Sequence, residues 1–307
     1  MPEVKIIITT GDPAGCGPYV ALKAIEILKN RPIDFYVVGD RKILSRLDVY
    51  GKISKRIKLA DVNTPGIDKL KIGYASKLSG SAGINYLNCA LKIMREQGIK
   101  RLVTAPLSKE AVQLNIRGFS GHSEYLAGYF KCDMEMMMVS DKLKTVLFTR
   151  HIPFKKVPGS LRAKELSRTF ALVLKSIRNL FKIKHPKIAV ASLNPHAGIN
   201  TFLGNEEKII SRAVKKFPEI SGPYPSDSLF TPVAIDKYDC IIALYHDQGM
   251  IPFKLLSMQT GVNLTLGLPA IRTSPAHGVA FDVMRSNKKP FASSMVAAIE
   301  LAAKLSV

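Results

Sequence analysis

Short runs rich in β-branched residues alternate along the chain with amphipathic stretches of helical period, and few folds accommodate that order. Val4 to Thr10, Asp34 to Val38, Arg101 to Ala105, Lys144 to Thr149, Lys187 to Ser192, Asp239 to Tyr245 and Gly261 to Leu266 read as strands. Pro18 opens a helix that ends near Asn30, because proline suits a first helical position. Another helix begins at about Arg41. Ser81 to Gln97 reads as a helix capped by Ser81, with Ile84, Leu87, Leu91 and Met94 on one face and Gly98 past its end. A last helix runs from about Ser293 to Lys304. This alternation implies an α/β chain with a largely parallel sheet covered on both faces. Such sheets bind ligands beyond the carboxyl ends of their strands.

The 307 residues suffice for two ordinary domains or one large one. Hydrophobic residues at 47% and charged residues at 22% exclude the disordered, collagenous and coiled-coil classes. No apolar run approaches the roughly 20 residues that span a bilayer, and the first residues lack a leader pattern. A cytoplasmic protein without a membrane partner is therefore expected. The net charge of +21 raises nucleic-acid binding as an alternative, whose signature is affinity that falls steeply with salt. Lysine and arginine are scattered, however, and the clusters Lys52 to Lys58 and Lys182 to Lys187 are short and broken by apolar residues. A solvated basic surface that draws in an anionic substrate, with no nucleic acid, is the preferred reading. Cys16, Cys89, Cys132 and Cys240 stand far apart without a Cys-x-x-Cys, as buried free thiols do. Any metal is then held by histidine and oxygen.

The histidines narrow the chemistry. His185 sits in a lysine-rich loop and reads as a surface residue. His151, His196 and His246 each follow a hydrophobic strand. Three such histidines would meet at one sheet edge and form a metal site with positions open to substrate. Each alone is more often a hydrogen-bonding loop residue than a ligand. Asp247 either orients a ligand histidine or caps a turn. Lys254 and Arg272, with Asn263 on the strand between them, either clamp a phosphate or carboxylate or are solvated charges. Composition alone favours solvated charges. Gly121-His122-Ser123-Glu124 opens an amphipathic stretch, either as an anion-binding helix start or as a plain cap. The turn Gly11 to Pro18 is glycine-rich but matches neither dinucleotide nor P-loop spacing.

Six segments carry a resemblance over essentially the whole chain. They are Gly11-Asp12-Pro13-Ala14-Gly15, Thr104-Ala105-Pro106-Leu107-Ser108-Lys109, Gly121-His122-Ser123-Glu124, Leu193-Asn194-Pro195-His196-Ala197-Gly198, Tyr245-His246-Asp247-Gln248-Gly249, and the run from Gly267 to Pro275. In this order they resemble the 4-hydroxythreonine-4-phosphate dehydrogenase family of pyridoxal phosphate biosynthesis. The resemblance implies a fold like the isocitrate and isopropylmalate dehydrogenases. It has two α/β/α subdomains, residues 1–120 with 265–307 and residues 121–264, around an interdomain cleft. It also implies a homodimer with a shared active site.

By motif match, His151, His196 and His246 would hold a divalent metal (zinc, cobalt, manganese or magnesium), one of them from the partner subunit. His122, Ser123, Lys254, Asn263 and Arg272 would contact substrate. Asp227 and Asp247 would support the site, and His122 or Lys109 would accept the alcohol proton. His277, Gly278 and Asp282 would bind NAD or NADP. The implied reaction oxidises 4-phosphooxy-L-threonine to 2-amino-3-oxo-4-phosphooxybutanoate, which decarboxylates to 3-amino-2-oxopropyl phosphate. A relative acting on threonate or erythronate 4-phosphate is the nearest alternative. An acyltransferase using acetyl phosphate is a more distant one and would need no metal.

The chain departs from the family pattern at Tyr19, for an acidic residue, and at Ser123, for threonine. It departs again at Ile199-Asn200-Thr201, at Ala276, for aspartate, and at Met284-Arg285-Ser286-Asn287. The last two fall where related folds hold the dinucleotide.

Overall fold

The structure, a computed structural model, describes residues 4–198, 204–286 and 288–306. The departures at Ile199-Asn200-Thr201 and at Asn287 lie outside the described residues. The strands in chain order are β1 (Val4–Thr9), β2 (Ile33–Gly39), β3 (Ile57–Asp61), β4 (Arg101–Thr104), β5 (Glu135–Val139), β6 (Lys144–Leu147), β7 (Ile188–Ala191), β8 (Ile220–Tyr224), β9 (Cys240–Ala243), β10 (Val262–Leu266) and β11 (Ile271–Pro275). The chain divides into two compact units, residues 1–132 with 268–305 and residues 133–267.

In the first unit the strands lie in the order β3-β2-β1-β4-β11, all parallel. Ile6, Ile7 and Ile8 are all buried, as continuous apolar runs are in sheets covered on both faces. The long helix begins at Lys77, not at Ser81. Ser76 is its cap: Ser76 Oγ accepts from Ser79 N, and Ser79 Oγ accepts from Ser76 N. This reciprocal pair satisfies two helix-start donors, so Ser81 falls inside the helix. Gly98, at φ 64°, closes the helix as expected. Ala82, Tyr86, Leu87, Ala90, Leu91 and Met94 of this helix join the unit's core. Within the basic cluster near residue 55, Lys58 Nζ lies 2.6 Å from Asp34 Oδ2, and Arg56 donates to the carbonyls of Arg31 and Ile33. These cations tie β3 to its neighbour.

In the second unit the order is β10-β5-β6-β9-β7-β8. β5 runs antiparallel to both β10 and β6, and the remaining pairs are parallel. The helix Ala163–Leu180 buries Leu166, Phe170, Val173, Leu174 and Ile177, a stripe at helical spacing. Neighbouring β6, β9 and β7 end at one level, Leu147 beside Ala243 and Val190 beside Ile242. The loops bearing His151, His246 and His196 therefore leave from one edge of this sheet. Among the described residues no helix is long and apolar enough to cross a membrane.

Candidate active site

His246 is the first residue of the helix His246–Ser257. Its Nδ1 lies 2.6 Å from Asp247 Oδ1. A carboxylate accepts there, so Nδ1 carries the proton and Nε2 is left as the donor atom for a metal. Of the two sequence readings of Asp247, the structure displays the pairing with His246. The His151 ring stands 5.5 Å from the His246 ring, centroid to centroid. Two imidazoles on one tetrahedral ion, with bonds of about 2.1 Å, place their centroids about 5 Å apart, so this pair fits a shared metal. His196 lies in the turn Pro195–Gly198 after β7. Among the described residues no group of three histidine, cysteine, aspartate or glutamate side chains is close enough to hold an ion. The second unit thus brings His151 and His246 together and places His196 on a neighbouring loop. Asp227 is exposed, in the first turn of the helix Ser226–Leu229.

Two residues around these loops escaped sequence reasoning. Gln248 is buried; its Oε1 accepts from Leu244 N at 2.6 Å, and its Nε2 donates to Ser192 O and Ser226 Oγ, each at 2.7 Å. One amide therefore joins the loops that lead to His196, Asp227 and His246. Glu207, also buried, accepts from Leu193 N (3.1 Å), Asn194 N (2.8 Å) and Asn194 Nδ2 (2.9 Å). The turn it grips is unusual: His196 and Ala197 are both left-handed, at φ 53° and 55°. Each such non-glycine residue costs on the order of 1–2 kcal/mol. No periodicity marks Gln248 or Glu207; Gln248 stands out only as a member of the segment Tyr245 to Gly249, and Glu207 only as one of two adjacent acidic residues that open a helix.

The first unit holds a cationic cluster. Arg272 on β11 is only 3% exposed, which corrects the solvated-charge reading favoured by composition. Its Nε and Nη2 donate to Thr104 Oγ1 at 3.1 and 2.6 Å, and its Nη1 donates to Ser123 Oγ at 3.3 Å. Burial draws its pKa down to about 10. His122 and Ser123 form the first turn of the helix His122–Phe130. Gly121 before them has φ 145°, and a side chain there would meet Lys109 Cε and Glu124 Oε2 at 3.2 Å. Lys109 is thereby placed beside the helix start. Burial, and then the charges of Arg272 and Lys109, hold the His122 imidazole well below its usual 6.5, so it is neutral at pH 7. A guanidinium, an ammonium, a hydroxyl and a helix N-terminus together suit an anion. In the second unit, Lys254 is exposed on the helix His246–Ser257. Asn263 on β10 points Nδ2 at Met136 Sδ, and its buried Oδ1 has no hydrogen-bond partner among the described residues.

The segment expected to hold the dinucleotide packs against the first strand-to-helix turn of the same unit. Cys16 N donates to Val279 O at 2.9 Å. His277 is exposed, its Nδ1 lying 3.0 Å from Gly278 O, and Asp282 is exposed in the first turn of the helix Phe281–Arg285. Nearby, Tyr19, Arg46, Asp48, Tyr74, Arg285 and Lys289 line a cavity of about 650 Å³.

Asp12, in the same turn, is fully buried and accepts from Ala14 N. Burial raises its carboxyl from 3.8 to about 6. A carboxyl raised by folding favours the native state below its unfolded pKa, and that gain is lost as pH rises through the folded value. At 1.36 kcal/mol per pH unit, ionised Asp12 costs about 3 kcal/mol. The stability difference between Asp12→Asn and wild type is therefore expected to move by about 3 kcal/mol in favour of asparagine between about pH 3 and pH 7, with its midpoint near 5, halfway between the unfolded and folded values. Urea melts across that range measure it, and a pH-independent difference would remove the assignment.

A family model described as pyridoxal phosphate biosynthetic protein PdxA matches residues 19–302. The chain belongs to that family. A relative from Sulfurihydrogenibium sp. (strain YO3AOP1), named 4-hydroxythreonine-4-phosphate dehydrogenase, is 37% identical over 97% of each chain. A relative from Salmonella typhimurium, named D-threonate 4-phosphate dehydrogenase, is 34% identical over 99% of this chain and 100% of its own. The crystal structure of 4-hydroxythreonine-4-phosphate dehydrogenase from Klebsiella pneumoniae superposes with a TM-score of 0.86, at 32% identity over 99% of both chains. Isocitrate dehydrogenase from Methylococcus capsulatus, at 15% identity and a TM-score of 0.52 over 98% of this chain and 87% of its own, shares the fold alone. The expected fold class is thus present, and the two activity names among family members define the choice of substrate.

Proposed function

We propose that this chain oxidises the C3 alcohol of 4-phosphooxy-L-threonine with NAD or NADP, giving a 3-oxo acid that decarboxylates to 3-amino-2-oxopropyl phosphate. The observation that carries this reading is the buried Arg272, held between Thr104 and Ser123 beside neutral His122 and Lys109. A buried cation at a helix start is offset by a phosphate, and the phosphate lies remote from the bond that reacts. Its role is orientation of the substrate.

His151, His196 and His246 would hold the divalent metal, one of them from a second protomer. Imidazole donors suit zinc, cobalt or manganese better than magnesium. When bound, the metal lowers the pKa of the substrate alcohol and the nicotinamide accepts the hydride. Asp247 fixes the His246 tautomer, and Asp227 stands at the neighbouring helix start. Lys254 and Asn263 complete the substrate contacts; the Asn263 Oδ1 offers a buried acceptor to a donor group of the substrate. Of His122 and Lys109, we assign the alcohol proton to His122, since burial keeps its imidazole neutral at pH 7 and a neutral imidazole has a nitrogen that can accept a proton. His277, Gly278 and Asp282 would border the dinucleotide. The helix that bears Lys254 exposes Ile251 (60%) and Leu255 (83%), with Met258 (79%) just past its end, which supports a homodimer through this apolar face.

The test is reduced-nicotinamide formation with metal-loaded protein on two substrates. We expect kcat/KM for phosphohydroxythreonine to exceed that for D-threonate 4-phosphate by at least about tenfold, the equivalent of 1.4 kcal/mol. The opposite ranking would transfer the assignment to the sugar acid.

A further inference from the structure

We propose that Glu207 is the positioning residue for His196: its buried carboxylate holds the turn that carries this imidazole in the shape metal binding needs. The inference rests on the reading of His196 as a ligand.

Three successive residues of the turn are left-handed, His196 at φ 53°, Ala197 at 55° and Gly198 at 64°. A free segment of this sequence would leave that region, because only glycine enters it without a steric penalty. Something outside the turn has to hold it. The first turn of the helix Glu206–Val214 supplies the hold. Glu207 Oε1 accepts from two consecutive backbone amides, Leu193 and Asn194, and Oε2 accepts from the Asn194 side chain. Both oxygens are thus committed to the strand-side half of the turn. The other half rests on the same group: a Cβ at Gly198 would lie 3.2 Å from Glu207 Oε2 and 3.5 Å from its Cδ and Cγ.

Two further bonds lock the centre. Ser192 Oγ donates to Asn194 O, and Asn194 Nδ2 also donates to Glu206 Oε2. A carboxylate in a first helical turn is favoured by the helix dipole, and its bonds to amides are charge-assisted. The geometry therefore gives this turn its shape before any ion arrives. A ligand preset in this way avoids ordering its loop on binding, and outer residues of this kind typically change metal affinity 10–100-fold.

The experiment uses the metal-free full chain titrated with Co²⁺ alone, followed by calorimetry and by the visible absorption of bound cobalt. Four variants are compared with wild type: His196→Ala, Glu207→Ala, Glu207→Gln and Gly198→Ala. His196→Ala should lose the cobalt band, which secures the ligand reading independently of Glu207. Glu207→Ala should bind cobalt about 10–100-fold more weakly and with a shifted spectrum. Gly198→Ala should weaken binding in the same direction. Glu207→Gln keeps an oxygen for the two backbone amides and should stay within about threefold of wild type. Wild-type affinity and spectrum in Glu207→Ala, with the band lost in His196→Ala, would overturn the positioning role while sparing the ligand. Wild-type binding by His196→Ala would overturn both. If Glu207→Ala does not fold, Glu207→Asp carries the test. It retracts the carboxylate by one methylene and should weaken cobalt about tenfold, and wild-type affinity there overturns the proposal.

Discussion

His246→Ala is expected to lower kcat/KM by about a thousandfold or more and to remove the bound metal. The imidazole stands first in its helix, paired through Nδ1 with Asp247 and facing His151 at 5.5 Å. Lewis-acid activation of an alcohol contributes several kcal/mol to the barrier, and each 1.36 kcal/mol is a factor of ten. Stability should change little, because the Asp247 side chain left behind is 71% exposed and stays hydrated. Metal content by elemental analysis, initial rates and a melting curve measure the three quantities together. Asp247→Asn makes a graded companion, with a loss of about 10–100-fold. More than a tenth of wild-type turnover in His246→Ala would remove the metal from the mechanism.

Arg272→Met should separate stability from binding in opposite directions. Burial lowers the Arg272 pKa from 12.5 to about 10, which means that the folded chain bears on the order of 3 kcal/mol to keep the charge. An apolar side chain of similar length relieves that cost, and such replacements are often neutral or stabilising. Thr104 and Ser123 lose donors but keep hydroxyls that can rotate to new partners. The phosphate loses a forked, charge-assisted contact, and kcat/KM should fall by about 10²–10³. Inorganic phosphate offers a check without turnover. It should raise the melting temperature of wild type and leave that of the variant unmoved. A variant that is strongly destabilised yet still answers to phosphate would make Arg272 a structural residue.

Much of this was readable from the chain before folding, and the gaps have physical causes. β1, β2, β4, β6, β7, β9 and β10 carry β-branched or aromatic runs and read as strands from the sequence. β5 reads Glu-Met-Met-Met-Val, and methionine has no strand signature. β8 contains Gly222 and Pro223, which argue against a strand when seen alone. β11 is Ile-Arg-Thr-Ser-Pro, polar yet buried throughout. Its polarity is tolerated because partners across the fold satisfy it: Thr273 Oγ1 donates to Ala298 O, and Arg272 reaches Thr104 and Ser123. β3 lies in a basic cluster whose Lys58 and Arg56 tie it to its neighbour.

The site divides in the same way. Histidines after strands stand out by position, and the family resemblance implies their roles. The left-handed turn at His196 and the grip of Glu207 are long-range bonds without periodicity, so no local pattern encodes them. The mistaken cap at Ser81 has a local cause, since the true cap at Ser76 depends on which serine reaches back to its own helix start.

Gln248 has a consequence for anyone wishing to change what this protein accepts. Its single amide is bonded to the loops after β7, β8 and β9. Those three segments behave as one part with one set of coordinates. A mutant library that varies residues 193–198 alone would search sequences whose backbone is already fixed from two other places. Retuning the histidine loops for a different ion or a longer substrate calls for libraries in which Ser192, Ser226 and Gln248 vary along with them. The most productive positions would then lie one residue behind the ones that touch anything.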